Sequence, residues 1–278
     1  MMIELKLEDY SAVKAFFDKK QQHIPAMAVL LGSYPGRVFT DCAAAPALAV
    51  VWATGRWMYA AGEIRSAEQR LGLAAFLQSI VIPVCRLHGE QWFEIYTEDS
   101  EAWTELLMSG LEGLKVHRHM ESVYEFGREK FEQLERLEEE SASISADSAA
   151  ARVTVDLVKF PLLEDQDEVH FEVHNRFGGL TTIGAVVRAG EQLVSVCKNN
   201  GFTVNSRYFI DVDTYAEEQR GKGYATLAAR SLIRYYLGQG RQPLWETTHE
   251  NKASHKLALK LGFQPVESYP VFAFVIES

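Results

Sequence analysis

The same pattern occurs twice in this chain, 150 residues apart. "EQRLGLAAFLQSI" begins at Glu68 and "EQRGKGYATLAARSLI" at Glu218. Ahead of them, at the same offset, stand "RWMYAAGEI" from Arg56 and "SRYFIDVDT" from Ser206. Behind them stand "EIYTEDSEAWTELL" and "WETTHENKASHKLA", then "SVYEF" and "PVFAF"; the match requires one residue lost after Arg70. Three segments kept in order and spacing are the mark of one structural unit used twice, which narrows the fold to a duplicated one.

Between the copies, "FEQLERLEEESASISADSAAA" from Phe131 to Ala151 starts as a charged helix and decays into Ser, Ala and Asp. Such a segment buries little and is expected to link. The 278 residues then divide into 1–140 and 151–278, each long enough for its own core.

Charge limits the partners. Lys+Arg 28 against Asp+Glu 38 leaves a net charge of -10, a field that disfavours nucleic acid and suits a cationic small molecule. Cys42, Cys85 and Cys197 are scattered and odd in number. They suggest reduced, buried thiols rather than a disulfide framework or a zinc site, and no metal is expected. The start, "MMIELKLEDY", lacks the basic and apolar regions of a signal peptide. The longest apolar stretch, around "CAAAPALAVVWATG", is broken by Pro46 and too short for a bilayer. The expected setting is a cytoplasm, with no membrane partner and a monomer or homodimer.

In the second copy, "GLTTIGAVVRAGEQLVSVCKNN" holds two strand-like runs split at Ala189-Gly190. "RYFIDVDTY" alternates, with Asp211 and Asp213 on one side and Ile210, Val212 and Thr214 on the other. From Ala225 an amphipathic helix runs to Gly238 and Gly240, "PLWETT" forms a strand, and "NKASHKLALKLGF" is a helix opened by Asn251 and stopped at Gly262. "PVFAFVI" closes as a strand. Together they predict a mixed α/β unit.

Arg220-Gly221-Lys222-Gly223-Tyr224-Ala225 joins a strand to a helix. Glycines let the backbone approach a ligand, and successive N–H groups at a helix start point at an anion. Two cations make a diphosphate the natural guest, although a tight strand-to-helix turn uses the same glycines. The P-loop pattern is absent, and the dinucleotide fingerprint fails at Thr226.

Arg220-x-x-Gly223-x-Ala225 resembles the [Q/R]-x-x-G-x-[G/A] acetyl-CoA loop of the GNAT-type N-acetyltransferases. Asn251, Ser254 and "LALKLGF" resemble their second signature, N-x-x-[AS]-x-x-L-Y-x-K-x-G-F. The two motifs cover roughly the last 70 residues, and strand order extends the likeness to about residue 151. The whole chain is most similar to the group that includes zwittermicin A resistance acetyltransferases. The resemblance implies a tandem GNAT-like fold, with a degenerate N-terminal unit and a C-terminal acetyl-CoA-binding domain whose mixed sheet splays.

It also implies roles. Acetyl-CoA would be the acyl donor and a small-molecule primary amine the acceptor. Backbone amides of Gln219, Arg220, Gly221, Lys222, Gly223, Tyr224 and Ala225, with Thr226 beyond, would hold the diphosphate. Pantetheine would lie between "IDVDT" and "LWETT" against Val212, Asp213 and Thr214. An amide near Val212 or Asp213 would polarise the thioester carbonyl. Asn251 and Ser254 would meet the arm, although Asn251 is equally a plain N-cap. Where the superfamily often has an acidic Tyr, this chain has Ala258.

The acceptor amine arrives protonated and needs a base. Glu246 is the first candidate, its pKa raised by neighbouring Trp245; Asp211, Asp213 and then His249 follow. Each could instead be a solvated residue. The first copy has only Arg70-Leu71-Gly72-Leu73-Ala74 at the loop and Ser100 at the Asn251 position. It has lost a glycine and the Lys, so it is expected to have kept its packing and not its chemistry. Two alternatives stay open: a non-catalytic acyl-CoA sensor, favoured by Ala258, and a tandem-GNAT aminoacyl-tRNA-dependent transferase, disfavoured by the acidic charge.

Overall fold

The computed structural model describes residues 1–54, 57–109, 114–144, 153–162 and 181–276. By their contacts they form two compact units that do not follow the sequential halves. One comprises residues 1–121 and 267–276, the other 122–162 and 181–266. The segments "SVYEF" and "PVFAF", which end the two copies in sequence, thus each belong to the other copy's unit. The linker begins as a helix, and residues 145–152 lie outside the described residues.

In the first unit, β2 (Gly36–Thr40), β3 (Leu48–Ala53) and β4 (Met58–Gly62) form an antiparallel meander, with the two-residue β1 (Ile3–Glu4) on β2. Strand β5 (Trp92–Tyr96) joins β4 in parallel. The end of β12 (Phe263–Val275) pairs antiparallel with β5, Val271 opposite Tyr96. All six residues of β3 are buried, as expected of a strand covered on both faces.

One face packs helix α1 (Ile24–Leu30), buried throughout. The other packs α2 (Ala67–Phe76), α3 (Ile82–Leu87) and α4 (Glu101–Ser109). Helix α2 starts with a capping box: the Ser66 hydroxyl accepts from Gln69 N and the Gln69 side chain accepts from Ser66 N. Such a cap stabilises by about 1 kcal/mol. Between α2 and α3 the turn widens to a π-helix, Leu77–Val81. Pro83 lacks an N–H and would clash with a carbonyl one turn back, which the wider turn avoids.

Residues 67–87 are apolar enough to cross a membrane by composition. Leu73, Phe76, Leu77, Val81, Ile82 and Cys85 spend that hydropathy on the core.

The second unit carries β7 (Val153–Pro161), β8 (Thr181–Ala189), β9 (Gln192–Val204) and β10 (Arg207–Thr214) as antiparallel neighbours. Parallel β11 (Gln242–Thr248) follows β10, and the end of β6 (Lys115–Phe126) follows β11. Gly190, at φ +62°, turns β8 into β9. Helices α5 (Arg128–Ile144), α6 (Tyr224–Leu237) and α7 (Lys252–Lys260) share one core with Tyr208, Ile210, Trp245, Phe263 and Leu232. Glu135 binds both Arg230 and Arg234, tying α5 to α6. Gly127 N donates to Gly262 O at 3.1 Å. A Cβ on Gly127 would stand 2.7 Å from that oxygen, so the approach requires glycine.

Candidate functional site

Strands β10 and β11 separate as they run. Their registered pairs are Arg207–Phe209 with Gln242–Leu244, and the pairing stops there, although the strands continue to Thr214 and Thr248. At the same point the β9–β10 ladder slips: Tyr208 faces Thr203 but Ile210 faces Asn199. The extra β9 residues hold themselves, Asn199 Oδ1 accepting from Gly201 N and Asn200 Oδ1 from Phe202 N. A bulge re-aims a strand, and here it marks the apex of the splay.

At the wide end, β10 gives way to a 3₁₀ turn, Glu217–Gln219, and then to Gly221 (φ +74°) and Gly223 (φ +85°). Gly223 is the N-cap of α6 and no side chain caps that helix. The N–H groups of its first turn are therefore the orphans that an anion satisfies. Nothing lies within 4 Å of where a Cβ would stand on either glycine. It is the left-handed backbone, and not crowding, that calls for glycine there.

An open cleft of about 610 Å³ joins these parts. Its wall brings together Val212, Asp213, Thr214, Gln219, Arg220, Gly221, Gly223, Tyr224, Ala225, Thr226, Asn251 and Ser254. Lys222 is absent from the wall; its Nζ donates to Gln219 Oε1 at 3.0 Å. Arg220 is exposed, 3.7 Å from Glu217. The wall also has Ala253, Lys256, Leu257 and Lys260, which the sequence reading missed. Counting by helical turns from Ala253 would have found Lys256, Leu257 and Lys260 on one side. Asn251 caps α7, its Oδ1 accepting from Ser254 N at 3.0 Å. That commits the carbonyl and leaves the NH₂ to donate.

Of the three candidate carboxylates, Asp213 lines the cleft and Asp211 and Glu246 do not. Tyr208, Ile210 and Trp245 point into the helix-side core, so strand alternation turns Asp211, Asp213 and Glu246 to the opposite face of the sheet. Asp211 and Glu246 each lie two residues beyond the last registered pair, Phe209 and Leu244. The idea that Trp245 desolvates Glu246 therefore fails, because adjacent strand residues face apart. Trp245 is buried and gives its indole N–H to Ser254 Oγ at 2.8 Å. His249 is exposed, with Nε2 2.9 Å from Ser122 Oγ. Ala258 is fully buried in the core and not on the wall. Among the described residues no His, Cys, Asp and Glu cluster could hold a metal.

A family model for GNAT acetyltransferases matches residues 14–272. No curated protein sequence matches the chain. A GCN5-related N-acetyltransferase-like protein from Streptococcus suis is structurally similar, with TM-score 0.64 and 19% identity over 96% of this chain and 98% of that one. A GCN5-related N-acetyltransferase from Sphaerobacter thermophilus gives TM-score 0.55 and 14% identity, covering 98% and 95%. A tandem GNAT protein from the clavulanic acid biosynthesis pathway gives TM-score 0.53 and 12% identity, covering 100% and 99%. Those identities speak to the fold, and the family model to the family: with its splayed mixed sheet and duplicated pattern, this chain belongs to the GNAT acetyltransferases.

Proposed function

We propose that the chain is an N-acetyltransferase moving the acetyl group of acetyl-CoA to a primary amine on a small molecule. The observation that carries this is the cleft itself. An uncapped helix start with two left-handed glycines supplies N–H groups for a diphosphate. Arg220, Lys256 and Lys260 add positive charge around it. From Phe209 to Thr214 the open edge of β10 spans about 17 Å at 3.3 Å per residue, a length suited to an extended arm lying between the strands. With its diphosphate at the wide end, the donor's thioester would sit near the apex.

The acceptor would approach from the other face of the sheet. Asp211, Asp213 and Glu246 attract a cationic amine there, and one of them takes its proton so that a neutral nitrogen attacks. An antibiotic-like amine is one acceptor of this class. Buried Ala258 favours a second reading, an acyl-CoA sensor without turnover.

Two measurements test these readings. Saturating CoA should raise the melting temperature, through about 2.7 kcal/mol at a hundredfold excess over Kd, where a nicotinamide dinucleotide does not. Acetyl-CoA with a panel of amines should then release CoA thiol. No melting shift rejects both readings; a shift without thiol release across the panel leaves the sensor.

A further inference from the structure

We infer that Ser254 is a catalytic hydrogen-bond donor to the departing CoA sulfur, aimed by the buried indole of Trp245. It would do the work that a tyrosine at position 258 does elsewhere in the superfamily. The inference rests on the acetyl-transfer reading above.

The geometry fixes the direction of the serine's proton. An indole N–H can only donate, so in the 2.8 Å contact Ser254 Oγ is the acceptor. Trp245 is 2% exposed and held edge-on against Phe263, so this donor is immobile. A helical serine can return its own proton to the carbonyl four residues back. Ser79 and Ser231 both do so, to Ala75 O at 2.6 Å and to Leu227 O at 3.0 Å. Ser254 makes no such bond. Its N–H is given to Asn251, its oxygen accepts from Trp245, and its O–H remains, on the wall of the cleft.

The position suits the chemistry. Trp245 is the first β11 residue past the last registered pair, so its indole ties Ser254 to the apex, where the thioester would lie. During transfer the amine nitrogen bonds to the carbonyl carbon while the C–S bond breaks and its electron pair stays on sulfur. One proton passes from the ammonium to the carboxylate base before attack, and the nitrogen gives a second to water as the adduct collapses to the amide. The Ser254 O–H stabilises the thiolate by hydrogen bonding and keeps its proton, and the thiolate is protonated later from water. A hydroxyl in a fixed frame can therefore assist without titrating.

The first test is an equilibrium one: the thiol of bound CoA is titrated by thiolate absorbance in wild type, Ser254→Ala, Ser254→Thr and Trp245→Phe. A hydrogen bond to a charged acceptor corresponds to about tenfold or more. Bound CoA should titrate about one unit lower in wild type and Ser254→Thr than in Ser254→Ala, with Trp245→Phe between. The second test is kinetic. Ser254→Ala should lower kcat about tenfold to a hundredfold, with CoA affinity kept and the pH profile unmoved, and the melting temperature falling a few degrees because the buried indole N–H loses its acceptor. On the Ser254→Ala background, Trp245→Phe should change kcat no further, because positioning has nothing left to position. Equal thiol titration in wild type and Ser254→Ala overturns the inference, as does a kcat loss accounted for by lost CoA affinity or by unfolding at the assay temperature. Absence of acetyl transfer by wild type overturns the underlying function instead.

Discussion

The two units were made from one pattern, and side by side they show how a cleft is kept or lost. In the second, a glycine turn precedes an uncapped helix, and the wall carries Arg220, Lys256 and Lys260. In the first, the matching residues Arg70 to Ala74 lie inside α2, which starts early because Ser66 and Gln69 cap it. Those N–H groups are spent within the helix. Helices α4 and α7 are capped alike, Trp103 N donating to Ser100 and Ser254 N to Asn251. Yet Ser254 is matched by Trp103, a buried indole that fills its unit and donates to Gly62 O. Lys256 is matched by Glu105, which holds Arg70 at 3.1 Å. Asp99, Glu101 and Glu105 line the groove there, a charge that repels phosphate. The first unit thus differs from the proposed anion site in three ways: an extended helix, a filled pocket and reversed charge.

The largest effect should come from the proposed proton acceptor. Glu246→Gln should lower kcat 10²–10⁴-fold, with CoA affinity kept and partial recovery as rising pH supplies free amine. By strand face its counterpart is Tyr96, and Tyr96→Phe should leave kcat within about twofold if the division of labour is real. A near-normal rate for Glu246→Gln would pass the role to Asp213, the carboxylate on the cleft wall.

Next, Gly223→Val should weaken CoA binding about a hundredfold by calorimetry. A β-branched side chain disfavours φ +85° and obstructs the proposed anion site. Gly72→Val should cost about 1–3 kcal/mol of stability, since a Cβ there stands 3.0 Å from Met1 N. It should leave CoA affinity alone. Equal effects on affinity would end the comparison.

A milder test writes the first unit's charge into the second. Lys256→Glu should cost about tenfold in CoA affinity, and the loss should shrink in high salt, because exposed charges are screened.

The smallest effect concerns pH. His23, in the first unit, is buried and its pKa lowered to about 3 by desolvation, then by Lys20. As pH falls from 6.5 towards 3 the unfolded chain takes up a proton that the folded one refuses. Stability is therefore complete above 6.5 and falls on acidification, by about 1.4 kcal/mol per pH unit at most. Glu94 has the opposite sign: burial, then Glu121, raise it to about 7. Its stabilisation is complete below 4.5 and lost as pH rises to 7. Thermal melts should show His23→Gln flattening the acid limb and Glu94→Gln gaining a few degrees over wild type between pH 5 and 8.

The sequence by itself determined the local elements of the second copy. β8, the Gly190 turn, β9, β10, α6, β11 and α7 stand where alternation, helical spacing, glycine and the Asn251 cap put them, because those signals act over a few residues. It also determined the two-glycine turn before α6, since left-handed backbone demands glycine. Three things were decided only in three dimensions. One is which unit each terminal strand joins: Ser122–Phe126 and residues from 267 carry no local mark of their partners. Another is strand face. Aligned by sequence, Trp245 matches Glu94, but the buried pattern matches it with Ile95, and a one-residue slip turns every side chain to the other face. The last is the aim of Ser254. Its neighbours in sequence permit a bond to the carbonyl four residues back, and only an indole arriving from β11 leaves its proton to the cleft.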